Sequence, residues 1–338
     1  MIMTYLRSSS YGAHEFCPHR YFLEYNVGLK GDANVQADKG NIVHKVMEAL
    51  AHSKLCQQNK TTSFIDDLLG EVNVQDCDPC KLLETIFEHN KDHDWTLKDR
   101  ADCKEWTERI LNYGNGEYDP RNREVVAPEG KFDILVKKPW AKYNFALPDG
   151  TNLKGFLALK GTIDLMVKTK LDGVYELIDY KTGGRVDWNK TVIKVKTLED
   201  LHNDYQLLLY YYAACHLYPE VDDITITIFF ARDTVNNKVV YPGGPFQINF
   251  SKEDFPRIEG MIRRKFDQIV ATKIPKLHKT WKCKSFCYFG KTLSSEDPSK
   301  TICEHFEDKI RKVGINQVLK EDAQLDEISR YGSGGGRK

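Results

Sequence analysis

The run Glu176-Leu-Ile-Asp-Tyr-Lys-Thr-Gly-Gly184 begins as an apolar strand and ends with a carboxylate and an ammonium two residues apart. Side chains alternate between the faces of a strand, so Asp179 and Lys181 project from one side and Glu176 and Tyr180 from the other. On a solvated surface this is an ordinary ion pair, which contributes little to stability. In a solvent-poor setting the two charges cost free energy unless they hold a ligand. The rest of the sequence has to decide between these interpretations.

A second β-rich run, Leu157–Val167, precedes this one and carries Asp164, fifteen residues before Asp179. A hairpin between the two runs would bring the carboxylates to neighbouring positions. Adjacent carboxylates raise each other's pKa unless a cation lies between them. Mg²⁺ or Mn²⁺ accepts such oxygen ligands, and the carbonyl of Tyr180 offers another. With Lys181 beside a metal-bound water, the pattern predicts hydrolysis of a phosphodiester.

Composition sets the class of protein but does not reveal its partner. The 338 residues are 41% hydrophobic and 29% charged, and the 49 Lys and Arg balance the 49 Asp and Glu. Any basic surface is therefore local. The sequence contains no membrane-spanning apolar run and no signal peptide, so no membrane partner is expected. Nine cysteines without a secretory signal favour buried thiols, metal ligands or a catalytic thiol, and a reducing, cytoplasmic location.

Periodicity predicts an α/β fold with a mixed central sheet flanked by helices. The whole is expected to be one domain over residues 1–330, with a cysteine-bearing segment near 276–310 and a disordered tail at 331–338. Helices are expected at residues 8–27, 40–55, 198–217 and 255–272, with a helical insertion at about 60–120. The period of the second helix predicts an apolar face formed by Ile42, Val43, Val46, Met47 and Leu50. Strands are expected at residues 125–136, 155–168, 173–180 and 224–231, with a turn at Leu171-Asp-Gly173.

Five short segments, in the family's order across residues 5–303, resemble motifs of the PD-(D/E)XK nuclease superfamily in its RecB-like exonuclease branch. Gly161-Thr-Ile-Asp164 and Ile178-Asp-Tyr-Lys-Thr-Gly183 are similar to the D…(D/E)xK signature. The flanking segments are Tyr5–Phe22, similar to S…C-P-x-x-Y; Lys39–Glu48, similar to G-x-x-x-H; and Gln206–Tyr210, similar to Q-x-x-x-Y. The resemblance implies a restriction-endonuclease-like core.

The resemblance also implies roles for particular residues. His44 would join Asp164, Asp179 and the Tyr180 carbonyl as a metal ligand, although a histidine on an apolar helix face is more often a core residue. Lys181 would orient the attacking water. The catalytic set is completed by Gln206 and Tyr210, which would contact the substrate phosphate or steady Lys181.

Several further residues are candidates for DNA contacts. The phosphate backbone would be tracked by basic residues, for which the candidates are Arg20, Arg185, Lys190 and Lys194. Tyr21 and Trp188 are candidates for stacking on bases, with core packing as the alternative. Glu129 is either near the site or at a solvated strand start.

One early cysteine and three late ones, Cys17, Cys283, Cys287 and Cys303, resemble the set that binds a [4Fe–4S] cluster in AddB-type and CRISPR-associated relatives. The spacing C-x3-C-x15-C is wider than the usual family pattern, and Cys303 is the proposed ligand that departs most from that pattern. Zinc accepts the same four thiolates and is the alternative. The pair Cys77-Asp-Pro-Cys80 is either a separate zinc site or part of a turn.

Together these patterns predict a metal-dependent DNA exonuclease acting on duplex ends or single strands, in recombination, replication or repair, of bacterial or phage type. A recombination or annealing protein is the candidate partner, and no oligomeric state is predicted. The chain lacks a phosphate-binding loop and so has no helicase motor of its own. Two other functions stay open: a structure-specific endonuclease, and a DNA-binding or scaffold subunit that does not cut.

Overall fold

The computed structural model describes residues 1–31, 35–91, 93–171, 173–187, 194–221 and 223–323. Asp172, Trp188, Lys190 and the tail at 331–338 therefore lie outside the described residues. None of the described helices has the length and the apolar run needed to cross a membrane.

The fold is mixed α/β, as predicted, and the described strands include a central mixed sheet. The helices are α1 Ser8–Phe16, α2 Pro18–Tyr21, α3 Val35–Asn59, α4 Pro79–His89, α5 Leu97–Asn112, α6 Leu198–His202, α7 Tyr205–Leu217, α8 Phe255–Ala271, α9 Trp281–Ser285, α10 Tyr288–Lys291, α11 Ile302–Val313 and α12 Ile315–Asp322. The strands are β1 Tyr5–Leu6, β2 Ser63–Asp66, β3 Gly70–Asn73, β4 Glu124–Leu135, β5 Lys142–Ala146, β6 Asn152–Phe156, β7 Ala158–Lys168, β8 Val174–Lys181, β9 Val186–Asp187, β10 Lys194–Val195, β11 Asp223–Phe230, β12 Thr234–Asn236, β13 Val239–Tyr241 and β14 Gly244–Ser251.

The chain divides into two compact units. The first comprises residues 1–32, 132–161 and 256–338, and the second comprises residues 33–131 and 162–255. They are called the terminal unit and the central unit below. A single domain over residues 1–330 stays a prediction.

The central unit contains the strands that carry the predicted signature. β8 pairs antiparallel with β7 and parallel with β11, and β11 pairs antiparallel with β14. Helix α3 covers this unit's core with the apolar face expected from its period. Its predicted apolar residues are at most 2% exposed: Ile42, Val43, Val46, Met47 and Leu50. They pack in one cluster with Ile178 and Tyr180 of β8.

The segment at 60–120 is helical through α4 and α5, but it opens with the hairpin β2–β3, which the sequence did not predict. Asp66 closes the hairpin by accepting hydrogen bonds from the backbone N–H groups of Leu68 and Leu69, both at 2.8 Å. Such side-chain-to-backbone bonds favour turns over helix. The hydrogen bonds of the Asp66 side chain therefore stabilise the turn between β2 and β3 in place of a continuing helix.

The terminal unit contains its own core, and its first helix is shorter than predicted. The expected helix at 8–27 is broken at Cys17, which is extended with φ −166° and ψ 121°. The residue before a proline is disfavoured in helical geometry, and Pro18 then starts α2. A π-helix, Phe22–Val27, completes the segment. The break holds Cys17 in the unit's interior, where it is 2% exposed.

A buried lysine joins two helices of the central unit. Lys39 of α3 is 2% exposed, and its Nζ lies 3.0 Å from Asp99 Oδ1 and 2.8 Å from Asp102 Oδ2 of α5. Its ammonium also lies 5.3 Å from the centre of the Trp106 ring. A buried ammonium requires such partners, since removing them would leave an unpaired charge. The pairing fixes where α5 packs along α3.

A carboxyl pair makes the stability of the central unit depend on pH. Glu129 of β4 has φ +40° and meets Glu48 of α3. Burial and the hydrogen bond to Glu48 raise the pKa of Glu129 from 4.5 to about 7. A folded-state pKa above the unfolded value means that this group's stabilising contribution is full below pH 4.5 and is lost as pH rises through 7.

We therefore expect Glu129→Gln to raise the melting temperature relative to the parent protein at pH 8 and to have little effect at pH 4. Thermal unfolding followed by circular dichroism at both pH values checks this. Glu124→Gln, on the same strand but exposed, is the control. An equal shift at both pH values would contradict the assignment.

Candidate active site

Strand β8 ends in a buried carboxylate paired with a half-exposed ammonium. The Asp179 side chain is 2% exposed, and that of Lys181 is 35% exposed. Lys181 Nζ donates to Asp179 Oδ1 at 2.9 Å and lies 2.7 Å from Oδ2. Burial raises the pKa of Asp179 even though Lys181 opposes the shift. Burial would lower the pKa of Lys181, but the charges of Asp179 and Asp164 raise it. The pair is thus not a solvated surface ion pair.

Strand β7 brings a second carboxylate to the first. Leu165 lies opposite Ile178, so Asp164 comes one residue beyond the paired segment, on the side of Asp179. Its Oδ2 accepts a hydrogen bond from the backbone N–H of Tyr180 at 2.8 Å. The side chain of Asp164 thus bonds to the backbone of β8 just after the strand pairing ends.

Helix α3 supplies the imidazole. His44 Nδ1 lies 3.3 Å from Asp164 Oδ2, and the His44 side chain is 34% exposed. Burial would lower the pKa of His44, but the charge and hydrogen bond of Asp164 raise it. Burial would raise the pKa of Asp164, but His44 and Lys181 lower it. The four predicted residues of the central unit therefore meet at one place.

Helix α7 holds Asp179 from another direction. Asp204 caps this helix by accepting a hydrogen bond from the backbone N–H of Gln206 at 3.0 Å. Gln206 Nε2 donates to Asp179 Oδ1 at 3.0 Å, and the Tyr210 hydroxyl lies 3.4 Å from the same atom. Gln206 Nε2 also lies 2.6 Å from that hydroxyl. Gln206 and Tyr210, one helical turn apart, thus both contact the carboxylate of Asp179, and their roles toward Lys181 or a substrate phosphate stay predictions.

The opposite face of β8 carries a structural ion pair. Glu176 is 4% exposed and bonds to Arg123 and to the hydroxyl of Thr227. Tyr180 points to this side as well, and its hydroxyl donates to the carbonyl of Tyr118 at 3.1 Å. Alternation along the strand predicted that Glu176 would face away from the site, and the contacts agree.

The donor set suits a hard divalent cation. Two carboxylates and one imidazole are ligands that Mg²⁺ or Mn²⁺ accepts. Asp179 Oδ2 is buried and accepts no geometrically aligned hydrogen bond from the described residues, and its close neighbour is the ammonium of Lys181 at 2.7 Å, so this oxygen already faces a positive charge. At the present side-chain positions, no group of three or more His, Cys, Asp or Glu within the described ranges is arranged to hold a metal. In this structure the positive partners of the two carboxylates are His44 and Lys181. The metal-ligand roles of Asp164, Asp179, His44 and the Tyr180 carbonyl stay predictions.

The residues proposed for DNA contacts are largely engaged within the protein. Tyr21 is 2% exposed and stacks on Tyr25 with ring centres 5.2 Å apart, so it is a core residue. Arg20 Nε bonds to Glu24 at 2.7 Å. The guanidinium of Arg185 lies 4.1 Å from the centre of the Phe246 ring. Lys194 is exposed.

The four predicted cluster cysteines all lie in the terminal unit. Cys17, Cys287 and Cys303 are 2–3% exposed, and Cys283 is half-buried. A hydrogen bond from Cys303 lowers the pKa of the Cys287 thiol to about 6. The pKa of the Cys303 thiol is raised by its hydrogen bond with Cys287, by burial and by the charges of Cys17 and Cys283.

Cys17 and Cys283 also meet one backbone segment. The N–H of His278 donates to Cys17 Sγ at 3.5 Å, and Cys283 Sγ donates to the carbonyl of His278 at 3.2 Å. The other candidate pair, Cys77 and Cys80, lies on either side of Asp78, the residue that caps the N-terminus of α4. The pair is thus part of the turn that leads into this helix.

Two features of the site were missed in the sequence. Asp204, the cap that orients Gln206, could have been recognised as an aspartate directly before a helical run. Lys45 follows His44 and lies 2.8 Å from Asp66 Oδ2 and 2.9 Å from Glu48 Oε2. No local signal predicts this contact, because Asp66 belongs to the unexpected hairpin.

A profile of the PD-(D/E)XK nuclease superfamily matches residues 8–291 of the chain. Among solved structures, the chain is similar to a protein from Eubacterium rectale named "Putative exonuclease". The TM-score is 0.48 and the sequence identity is 12%, over 86% of this chain and 90% of that chain. No curated protein matches the chain.

Replacing Gln206 tests its contact with Asp179. We expect Gln206→Ala to weaken Mn²⁺ binding and the activity that depends on it by about 10–100-fold, because the carboxylate loses a donor that orients it. Isothermal titration with Mn²⁺ measures the affinity directly. Gln57→Ala, at an exposed position of α3, is the control. Unchanged Mn²⁺ affinity in the Gln206 variant would contradict the role.

Proposed function

The chain belongs to the PD-(D/E)XK nuclease superfamily, and from this premise we propose that it is a metal-dependent deoxyribonuclease that degrades DNA from an end. The observation that supports the proposal most is the meeting of His44, Asp164, Asp179 and Lys181 in the central unit. This combination offers ligands to a cation and a positive charge to a phosphate. By contrast, Glu176 on the other face of the strand is paired with Arg123, so that face offers neither a metal ligand nor a positive charge for a phosphate.

Each residue has a separate task in the proposed reaction. Asp164, Asp179 and His44 would hold the ion, with the Tyr180 carbonyl as a further ligand. Bound Mg²⁺ or Mn²⁺ would supply an acidified water and neutralise phosphate charge. Lys181 would orient the attacking water and stabilise the negative charge that develops on the phosphate. Gln206 and Tyr210 fix the carboxylate of Asp179 and thereby the geometry of the ligand set.

We assign the activity to DNA recombination, replication or repair, in the cytoplasm of a bacterial or phage-infected cell. A recombination or annealing protein remains the candidate partner. These assignments, and membership of the RecB-like branch, rest on the motif resemblance alone.

End-labelled linear single-stranded DNA and a circle of the same sequence test the activity, each with Mg²⁺ or Mn²⁺. We expect loss of the linear strand and survival of the circle, with cutting abolished in Asp179→Asn. Asp223→Asn, exposed at the start of the neighbouring strand β11, should cut like the parent protein.

Cleavage of the circle would identify an endonuclease and overturn the preference for ends. Failure to cut single-stranded or duplex DNA with either ion would overturn the catalytic proposal and favour a DNA-binding or scaffold role. Circular dichroism of the Asp179 variant confirms that loss of activity is not loss of fold.

We further propose that Cys17, Cys283, Cys287 and Cys303 bind a [4Fe–4S] cluster. Three of the four thiols are buried in the terminal unit, and Cys17 and Cys283 both contact the backbone of His278. This placement and the family resemblance support the proposal. Four thiolates satisfy such a cluster and also satisfy zinc. When bound, the group would join the start of the terminal unit to its late helices.

Anaerobically purified protein should show visible iron–sulfur absorbance with iron and sulfide, and Cys303→Ser should lose most of both. Cys80→Ser, an exposed thiol at the start of α4, should retain them. If the purified protein contains stoichiometric zinc and no iron, the four cysteines form a zinc site and the cluster assignment is wrong. Absence of both metals would overturn the assignment.

A further inference from the structure

The segment Pro275–Lys291 of the terminal unit has an unusual charge. It contains five lysines and no acidic residue, in a chain whose 49 basic and 49 acidic residues balance. Helices α9 and α10 are in this segment. The segment is therefore a local basic region of the kind that composition alone could not locate.

Two large aromatic side chains of this segment are exposed. Trp281 is 46% exposed and Phe286 is 49% exposed. Their ring centres lie 5.4 Å apart at an interplanar angle of 68°. Phe289, three residues further on, is 1% exposed and belongs to the core of the unit. The segment thus has aromatics both in the interior and on the surface. The two exposed rings are in contact with each other, and a contiguous exposed apolar patch is a candidate binding site.

Three of the five lysines in the segment that carries these rings are exposed. Lys276, Lys284 and Lys291 are exposed and form no salt bridge with any residue that the structure describes. By contrast, Lys279 Nζ lies 3.2 Å from Glu304 Oε1, and Lys282 lies over the Phe16 ring. Lys284 follows Trp281 by three residues on α9, which places both on one side of that helix.

We propose that the Trp281 surface, defined as Trp281, Phe286, Lys276, Lys284 and Lys291, binds single-stranded DNA. Bases stack on aromatic faces without regard to sequence, and lysines beside them contact phosphates. A duplex hides its base faces, so this surface favours unpaired strands. The inference takes DNA as the ligand from the proposed function, and it adds the place and the mode of binding.

Other kinds of partner fit the surface less well. The centre of a protein interface is depleted of lysine, whereas this surface has three unpaired lysines. Lipid binding by an amphipathic helix needs an apolar face of several turns, and α9 has five residues. The aromatic candidate suggested by sequence, Tyr21, is buried.

Binding is measured in EDTA with full-length Asp179→Asn protein, so that no cutting occurs. Fluorescence anisotropy of labelled oligo(dT) gives the affinity. We expect Trp281→Leu to weaken binding about ten-fold or more, while Trp281→Phe retains most of it. Lys284→Gln with Lys291→Gln should reduce the salt slope by about 1.4. Lys60→Gln with Lys98→Gln, exposed positions of the central unit, is the matched control.

Binding by Trp281→Leu as tight as that of the parent would overturn the inference, as would equal losses in the control. Either result would also favour a protein partner for the exposed rings. A nuclease assay of the wild-type protein separates the two proposals. If the wild-type protein cleaves DNA and Trp281→Leu binds DNA normally, only the Trp281 surface is overturned. If binding depends on Trp281 but the wild-type protein does not cleave DNA, only the enzymatic proposal is overturned.

Discussion

The central unit is organised around two carboxylates that are placed side by side with little access to water. Asp179 is 2% exposed, and Asp164 is 13% exposed at the side chain. Two such charges repel each other, and donors from three elements lie against them. Lys181 comes from the same strand, His44 from α3, and Gln206 and Tyr210 from α7. The positions of both helices and the register of β7 with β8 are thus tied to one electrostatic requirement.

The sequence predicted the parts of the site that depend on local rules. Strand alternation placed Asp179 and Lys181 on one face and Glu176 on the other, and helical periodicity identified the apolar face of α3 that carries His44. The partner of Gln206 could not be predicted this way. Whether its amide reaches Lys181 or Asp179 depends on how α7 packs, which is a tertiary contact. The bond from the Tyr180 N–H to Asp164 is likewise visible only once the strand pairing is known.

Fold predictions failed where one residue overrides the regional pattern. The aromatic period over residues 8–27 suggested one helix, but Pro18 imposes extended geometry on Cys17. The alternating acidic and apolar segments after α3 suggested more helix, but Asp66 closes a turn with its own side chain. Exposure was the hardest property to anticipate. Trp281 and Phe289 are both aromatics in a basic segment, yet only one is in the core.

The bonds that Asp164 and Asp179 make to His44 and Lys181 have a consequence for metal exchange. Because protein cations already balance these carboxylates, the folded chain does not need a divalent ion to keep them apart. A divalent ion held by Asp164, Asp179 and His44 would take over from Lys181 the balancing of Asp179. His44 would then change from an ion-pair partner of Asp164 into a ligand. Lys181 would be freed for a water and a phosphate, so binding of the cation and availability of the lysine would be coupled.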